Sequence, residues 1–415
     1  MSLSSTAPTI VVGAGAVGLA CAHALVTRGQ RVTIIDRDPI GDKASYGNAC
    51  ALAVTDCSPL STPGVWRSAP GWLLDPLGPL SIRVSQMPSL VPWFWRFLLH
   101  GNMPQVQMSA DAQYQLNKRI WQDFEPVLKT IGYADRVQQK GMLKLFKDRQ
   151  SFERSPLEWQ IKQAQGFDVE LIDKDQLKVM EPAVGDAKQF AVFHPQWIIV
   201  DDPKQLLAVW RDWLQTQGVE FVTDEVSAIL NEDGKVLGAR GKNQDYPADK
   251  VLVAAGAWSA ELSKSACEAC LLASERGYNT TIAEPGISVN HMLMFAEEQF
   301  VATPMGLGLR IGGAAEFAGL KAAPNYQRSK ALLTLAKRFL PALSGGEGDM
   351  WMGHRPSTPD SLPVLGLSNK CQGLAYAFGH GHLGLTQSVT SGELVVEALL
   401  SGNNDGLEAF SIARF

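Results

Sequence analysis

The chain has 415 residues, of which 46% are hydrophobic and 19% charged, and a formal net charge of −5. That balance excludes a disordered chain, and the length points to roughly two domains of 100–200 residues. The acidic charge and the lack of a Lys/Arg cluster exclude a nucleic-acid footprint, and no apolar run reaches the ~18 residues of a spanning helix.

Residues 9–36 read TIVVGAGAVGLACAHALVTRGQRVTIID. A β-branched run, Thr9 to Val12, enters Gly13, Gly15 and Gly18. An Ala-rich helical stretch follows, then a strand from Arg31 to Ile35 that closes on Asp36. This is the dinucleotide-binding fingerprint in its full context. Gly13 permits the tight turn, Gly15 lets backbone amides approach a pyrophosphate, and Gly18 lets the helix pack close to the strand. Gly15, Ala16 and Val17 open the helix, whose free N–H groups favour an anion. Asp36 lies 21 residues after Gly15, placed for the ribose hydroxyls. The fingerprint starts at Thr9, which leaves little room for a cleaved signal ahead of it, so a cytoplasmic protein is expected.

Later segments return to the same unit. Residues 203–217 carry helical spacing, and Gly218 ends the helix. A strand from Val219 to Thr223 follows, then Asp224, Glu225 and Val226. The run Val251–Ala255 reads as a buried parallel strand, with Gly256 allowing close backbone passage. A third return is the strand Leu374–Phe378, the glycines 379, 381 and 384, and a helix with Val389, Leu394, Val395, Ala398 and Leu399 in register. Its glycine-preceded N-terminus is a second anion-friendly place. Between these returns, residues 141–148 and parts of 278–316 alternate apolar and polar residues, as antiparallel strands do, with helical stretches at 109–131 and 327–340. The fold expected is α/β, with an interleaved α+β substrate domain containing a mostly antiparallel sheet. The nucleotide domain takes residues 1–85, 171–262 and 351–415, and the substrate domain 86–170 and 263–350.

Several segments together carry a family resemblance: the fingerprint, the loop Ala44–Ala49, RGYNTT (276–281), LRIGGAAEF (309–317), GHRPSTPDSLPVLG (353–366), GHGHLGLTQ (379–387) and the closing FSIARF. The chain resembles the FAD-dependent D-amino acid dehydrogenases, within the wider D-amino acid oxidase and glycine oxidase group. The resemblance implies a glutathione-reductase-like FAD-binding domain and oxidative deamination of D-amino acids. It also implies electron delivery to a quinone or other respiratory-chain acceptor. Alternatives are an oxygen-dependent oxidase of the glycine/sarcosine oxidase type and an RNA-directed or non-enzymatic flavoprotein. The FAD is expected to be non-covalent, held by Gly13, Gly15, Ala16, Val17, Gly18, Asp36, Arg37, Ser45, Asn48, Ala49, Val226, Ala255, Gly256, Gly381, Leu383, Gly384, Leu385 and Thr386.

In this group the Arg of the R-P motif, here Arg355, fixes the substrate carboxylate. A planar guanidinium suits that task, because it binds a carboxylate bidentately. The plainer reading is an Arg satisfying loop carbonyls before Pro356. Arg310 is a second clamp candidate or a solvent-facing strand residue, and Arg276 has the same standing, with Gly277 suggesting a turn. His380 and His382 are acid/base candidates or merely line the flavin. Gly384, Leu385 and Thr386 are placed to offer N–H groups to the flavin carbonyl edge. Tyr278 and Tyr326 are possible substrate contacts, with core packing as the alternative. His382 stands where a smaller residue is usual in the group. With the hydroxyls of Tyr278, Thr280 and Thr281 it suggests a cyclic substrate such as D-proline or a hydroxylated D-proline. Residues 87–99, MPSLVPWFWRFLL, are the most apolar patch. Trp93, Trp95 and Arg96 suit either a peripheral anchor on the inner face of the cytoplasmic membrane or buried packing. Cys267 and Cys270 form one C-x-x-C without partners for zinc, so no metal is expected.

Overall fold

The computed structural model describes residues 7–75, 78–154 and 156–415. One six-stranded sheet runs in the order Glu220–Thr223, Val32–Asp36, Thr9–Val12, Val251–Val253, Leu374–Phe378, Val364–Leu367. All its pairs are parallel except the last. The central strands Thr9–Val12, Val251–Val253 and Leu374–Phe378 are buried at every residue. Near-continuous apolar runs are what a parallel sheet covered on both faces requires. One face carries the helix Ala16–Thr27, packed against the helices Ser388–Ser401 and Pro203–Thr216. Small residues make this possible: a Cβ on Gly392 would come within 2.9 Å of the Ala20 backbone. The other face packs Ile10, Val253 and Val364 against Ile229, Val236 and Ala239 of a three-stranded antiparallel sheet.

The second unit is a nine-stranded sheet. From the edge strand Asp349–Ser357 inward, the strands Ala273–Ile282, Gly308–Phe317 and Phe300–Met305 pair antiparallel in turn. Only two pairs in it are parallel, Met292–Phe295 with Met142–Phe146 and Gly308–Phe317 with Leu80–Ile82. The helix Gln327–Phe339 covers one face, burying Leu332, Leu333, Leu335 and Ala336 against Leu309, Ile311 and Phe300. The opposite face turns toward the nucleotide unit and walls the cleft between them.

Three differences from the sequence expectation stand out. The stretch 109–131 forms two helices, Met103–Asn117 and Ile120–Thr130, broken at Lys118 and Arg119 without a Gly or Pro to mark it. Gly277 is no turn; it lies inside the strand Ala273–Ile282. The strands Leu80–Ile82, Glu170–Ile172 and Phe190–His194 join the large sheet, so the change of unit does not fall at 85 and 170. Strand membership is decided by partners distant in the chain, which local pattern does not report.

Candidate functional site

A single cleft of about 2490 Å³ runs from the Gly-rich turn to the large sheet. That exceeds the ~300–1,000 Å³ of a small-ligand pocket and has room for a dinucleotide with a substrate. Gly13 has φ +111, and a Cβ there would lie 2.5 Å from the Ala254 carbonyl oxygen. A Cβ on Gly18 would lie 1.9 Å from the Gly13 carbonyl oxygen. Gly15 differs, since a Cβ there would meet only Ser45 Oγ, at 4.0 Å. The first two glycines are demanded by the protein itself, and the third leaves a space open to the cleft. The N-cap residue Gly15 offers no side-chain cap, and the Ala16 N–H donates to Ser45 Oγ at 3.3 Å, while the positive end of the helix still faces the cleft, where an anion is favoured.

Asp36 ends its strand with Oδ2 accepting from the Ala14 N–H at 2.7 Å and Oδ1 accepting from Lys43 Nζ at 2.7 Å. The Arg37 guanidinium stacks on the Trp258 ring at 3.7 Å. Ala16, Val17, Asp36, Arg37, Ser45, Asn48, Ala49, Val226, Ala255, Gly256, Gly381, Gly384, Leu385 and Thr386 all line the cleft. Gly18 does not, because it serves helix packing. Leu383 points instead into a small core with Ala51 and Trp197. A helix start facing the cleft, an open cradle at Gly15 and an acidic strand end are the donor and acceptor set that the ADP half of FAD needs.

At the other end of the cleft, Arg355 stands directly across from Glu275 on the neighbouring strand. Its Nη1 donates to Glu275 Oε1 at 2.9 Å and to the Ala314 carbonyl at 3.1 Å. The guanidinium lies flat over Gly277, whose Cβ would sit 2.4 Å from Nη2, so only glycine admits it. Ala314 has φ +55, at a bulge where the register shifts opposite Gly277. Bulges of this kind re-aim groups beside functional sites. Nε and Nη2 of Arg355 make no hydrogen bond among the described residues.

His382 Nε2 lies 3.0 Å from Asp56 Oδ2. Burial works against charging His382, but the Asp56 hydrogen bond and charge outweigh it and raise its pKa. His380 is the opposite case. It is buried against Ser391 Oγ at 3.0 Å, and burial pushes it down to about 3, so it is neutral and not an acid at ordinary pH. Further along the wall, Glu158 forms ion pairs with both Lys144 and Lys162.

The remaining candidates are engaged within the protein, although Tyr278 and Trp93 also line the cleft. Arg310 is buried and donates to the Tyr46 and Asn48 carbonyls and Thr281 Oγ1, so it anchors the 46–50 loop and does not line the cleft. Arg276 is fully buried, donating to the carbonyls of Gly319 and Ala322. The Tyr278 hydroxyl donates to Glu316 Oε2 at 2.5 Å and accepts from the Asn325 N–H; Tyr326 sits on the surface beside its ring. Thr280 bonds the Glu347 carbonyl. Trp93 is buried, its Nε1 donating to the Ser357 carbonyl at 2.9 Å, which removes it as an anchor, whereas Trp95 is 64% exposed. Cys267 and Cys270 are free thiols. Sequence reasoning missed Asp56, Glu275, Lys43, Trp258 and Trp351. Only Glu275, beside RGYNTT, had a local signal. Trp351 lies against Gly47 and Gly353, whose Cβ atoms would fall 2.1 Å and 2.0 Å from its ring.

Residues 9–398 match the FAD dependent oxidoreductase (DAO) family. The chain is 33% identical over 414 residues to a D-amino-acid oxidase of Bradyrhizobium diazoefficiens, covering 98% of each. It is 26% identical over 415 residues to a D-amino acid dehydrogenase of Vibrio cholerae, covering 97% of this chain and 98% of that one. Its fold superposes on the glycine oxidase of Geobacillus kaustophilus with a TM-score of 0.74 at 21% identity, covering 98% of each. The cradle at one end of the cleft and the family match over nearly the whole chain agree, and the protein belongs to the FAD dependent oxidoreductase family.

Proposed function

We propose that the protein oxidises D-amino acids, with Arg355 fixing the substrate's α-carboxylate and the electrons passing from the flavin to a respiratory-chain acceptor. The observation that carries this is Arg355 in the family's cleft. Its Nη1 edge is held by Glu275 and Ala314, which pre-orients the guanidinium and leaves Nε and Nη2 for a bidentate carboxylate. Gly13, Gly15, Ala16, Val17 and Asp36 hold the ADP half, and Gly381, Gly384, Leu385 and Thr386 face the ring. When bound there, FAD would supply the two-electron, hydride-accepting chemistry that oxidation at the substrate α-carbon requires. The protein's part is to bind, orient and exclude water. Imine release and hydrolysis then give the 2-oxo acid and ammonia, or the ring-opened product of a cyclic amine.

The names of both curated relatives support a D-amino acid and differ on the acceptor, one an oxidase and one a dehydrogenase. A membrane acceptor is supported by the surface of the helix Met87–His100. Met87, Val91, Trp95, Leu98 and Leu99 are exposed on it. Between Cys57 and Ala110 the chain carries Arg67, Arg83 and Arg96 against one acid, Asp75. An apolar face with a positive balance suits peripheral contact with anionic lipid. Among the described residues no helix is long and apolar enough to cross a membrane.

A cyclic substrate, D-proline or a hydroxylated D-proline, is the finer reading. The hydroxyls of Tyr278, Thr280 and Thr281 are engaged within the protein, so this reading rests on His382 alone. Anaerobic bleaching of the flavin over matched D- and L-amino acids tests the proposal, with cis-4-hydroxy-D-proline, D-proline and D-alanine in the panel. D-enantiomers should bleach it and L-enantiomers should not. Bleaching by no D-amino acid would sink the proposal, and best activity on D-alanine would sink its cyclic part.

A further inference from the structure

Asp56 and His382 are separated by 326 positions and meet in the cleft. Their loops are tied by one buried side chain. Asn117 Nδ2 donates to the Asp56 carbonyl at 3.0 Å, and Asn117 Oδ1 accepts from Gln387 Nε2 at 2.9 Å. The Asp56 N–H in turn donates to the Ala53 carbonyl. Leu383, Leu385 and Thr386 around His382 are buried, while the imidazole itself is turned out into the cleft. A carboxylate held by its backbone and an imidazole held by its loop form an oriented pair. With Nε2 donating to Asp56, Nδ1 has no partner among the described residues and carries the free lone pair. The charged groups around His382 are Asp56, then Glu275 and Arg355 on the large sheet. Behind Asp56 stand Lys162 and Glu158 on the helix Pro156–Ala164.

We propose that Asp56 and His382 are a proton-accepting dyad for the substrate's amino group. The inference rests on the D-amino acid reading above. An amino acid arrives largely as its ammonium form, which has no nitrogen lone pair to assist loss of a hydride. Nδ1 takes one proton from the ammonium, giving a neutral amine and an imidazolium held by Asp56. The α-C–H bond then breaks with its electron pair passing as hydride to the flavin, and the nitrogen lone pair forms the C=N bond of an iminium. Asp56 is the positioning residue, because it fixes the ring and stabilises the imidazolium. Arg355 on the neighbouring wall holds the carboxylate, so both ends of the zwitterion have a partner in one cleft.

The test is the pH dependence of anaerobic flavin reduction by a D-amino acid, in the parent, Asp56→Asn and His382→Gln, each verified to hold flavin by its absorbance. The acceptor must be neutral, so the rate rises as pH passes upward through the imidazole's pKa. Asp56 favours the charged form, which puts that limb above the ordinary value of ~6.5. Asp56→Asn should move the limb down by about one pH unit or more. His382→Gln should abolish it and slow reduction by ~100-fold or more. In the parent, substrates differing in amine pKa should share one limb. A limb that follows the substrate's own amine, stays in place in Asp56→Asn, or persists in His382→Gln overturns the dyad. So does a His382→Gln change confined to the preference for hydroxylated over unsubstituted ring substrates, which would make His382 a hydroxyl reader. Absence of bleaching by any D-amino acid at any pH would instead defeat the functional reading beneath it.

Discussion

The two ends of the cleft are built in different ways. At the nucleotide end the core groups are backbone N–H groups, a carbonyl-crowded glycine turn and one strand-end acid, clustered in residues 13–36. At the end proposed for the substrate the groups are charged side chains, each meeting its partner across a long stretch of chain: Arg355 with Glu275, and His382 with Asp56. The first end serves a cofactor common to a whole family and relies mainly on backbone groups with one strand-end acid, which a local sequence with the right glycines supplies. On the proposed function the second would discriminate among substrates, and discrimination needs paired polar side chains whose burial is costly when a partner is missing.

Arg355→Ala is the largest expected break in that comparison. Removing it strips the substrate carboxylate of a charge-assisted partner and leaves Glu275 unpaired. The transition-state stabilisation read from kcat/KM should fall by about 3–5 kcal/mol, with the flavin spectrum unchanged. Equal loss of bound flavin would show that the two ends are not independent. Unchanged kinetics would move the clamp elsewhere, and the Lys144, Glu158 and Lys162 group would be examined next.

A sharper division comes from two glycines three residues apart. Gly18→Ala forces a Cβ into the Gly13 carbonyl, an overpacking cost of about 3 kcal/mol, visible as a lowered melting temperature even in flavin-stripped protein. Gly15→Ala meets no protein atom closer than 4.0 Å. Its fold should therefore be nearly as stable, and it should release FAD more readily on dilution. If both variants lose stability equally without flavin, Gly15 is a structural glycine and its opening toward the cleft has no bearing on the cofactor.

Trp95→Ser should be the mildest change. The ring is largely exposed, so stability should shift by no more than about 0.5 kcal/mol. Partition onto anionic vesicles should fall while dye-coupled activity in solution is retained. No partition by the parent protein would remove the membrane part of the proposal.

The nucleotide end was legible in the sequence because its constraints are local. Gly18 and Asp36 are fixed by contacts within one strand–helix–strand unit, Gly13 is further crowded by the distant Ala254 carbonyl, and glycine has few reasons to recur at those spacings. The strand Leu374–Phe378 and the helix after it were equally readable, since burial on both faces leaves an unbroken apolar run. The substrate end was legible through Arg355, in a motif with a family pattern, and through His382 in its glycine-rich turn, but not through their partners. Arg310, Arg276 and Tyr278 looked alike in sequence, each a polar residue within an apolar strand. Only the packed sheet separates them, because strand parity and the neighbour across the ladder decide which side chain reaches the cleft and which is spent on carbonyls. Trp93 and Trp95 diverge for the same reason, one turning into the Phe317 core and the other outward. Asp56 carried no signal in sequence and Glu275 only its place beside RGYNTT, since a carboxylate gains its role from the cation it meets. By itself the sequence determined the class of fold and the cofactor cradle, where backbone conformation and nearest neighbours suffice. The tertiary structure alone decided the polar pairs of the substrate end, because a charge pair is a property of two distant positions brought within about 3 Å.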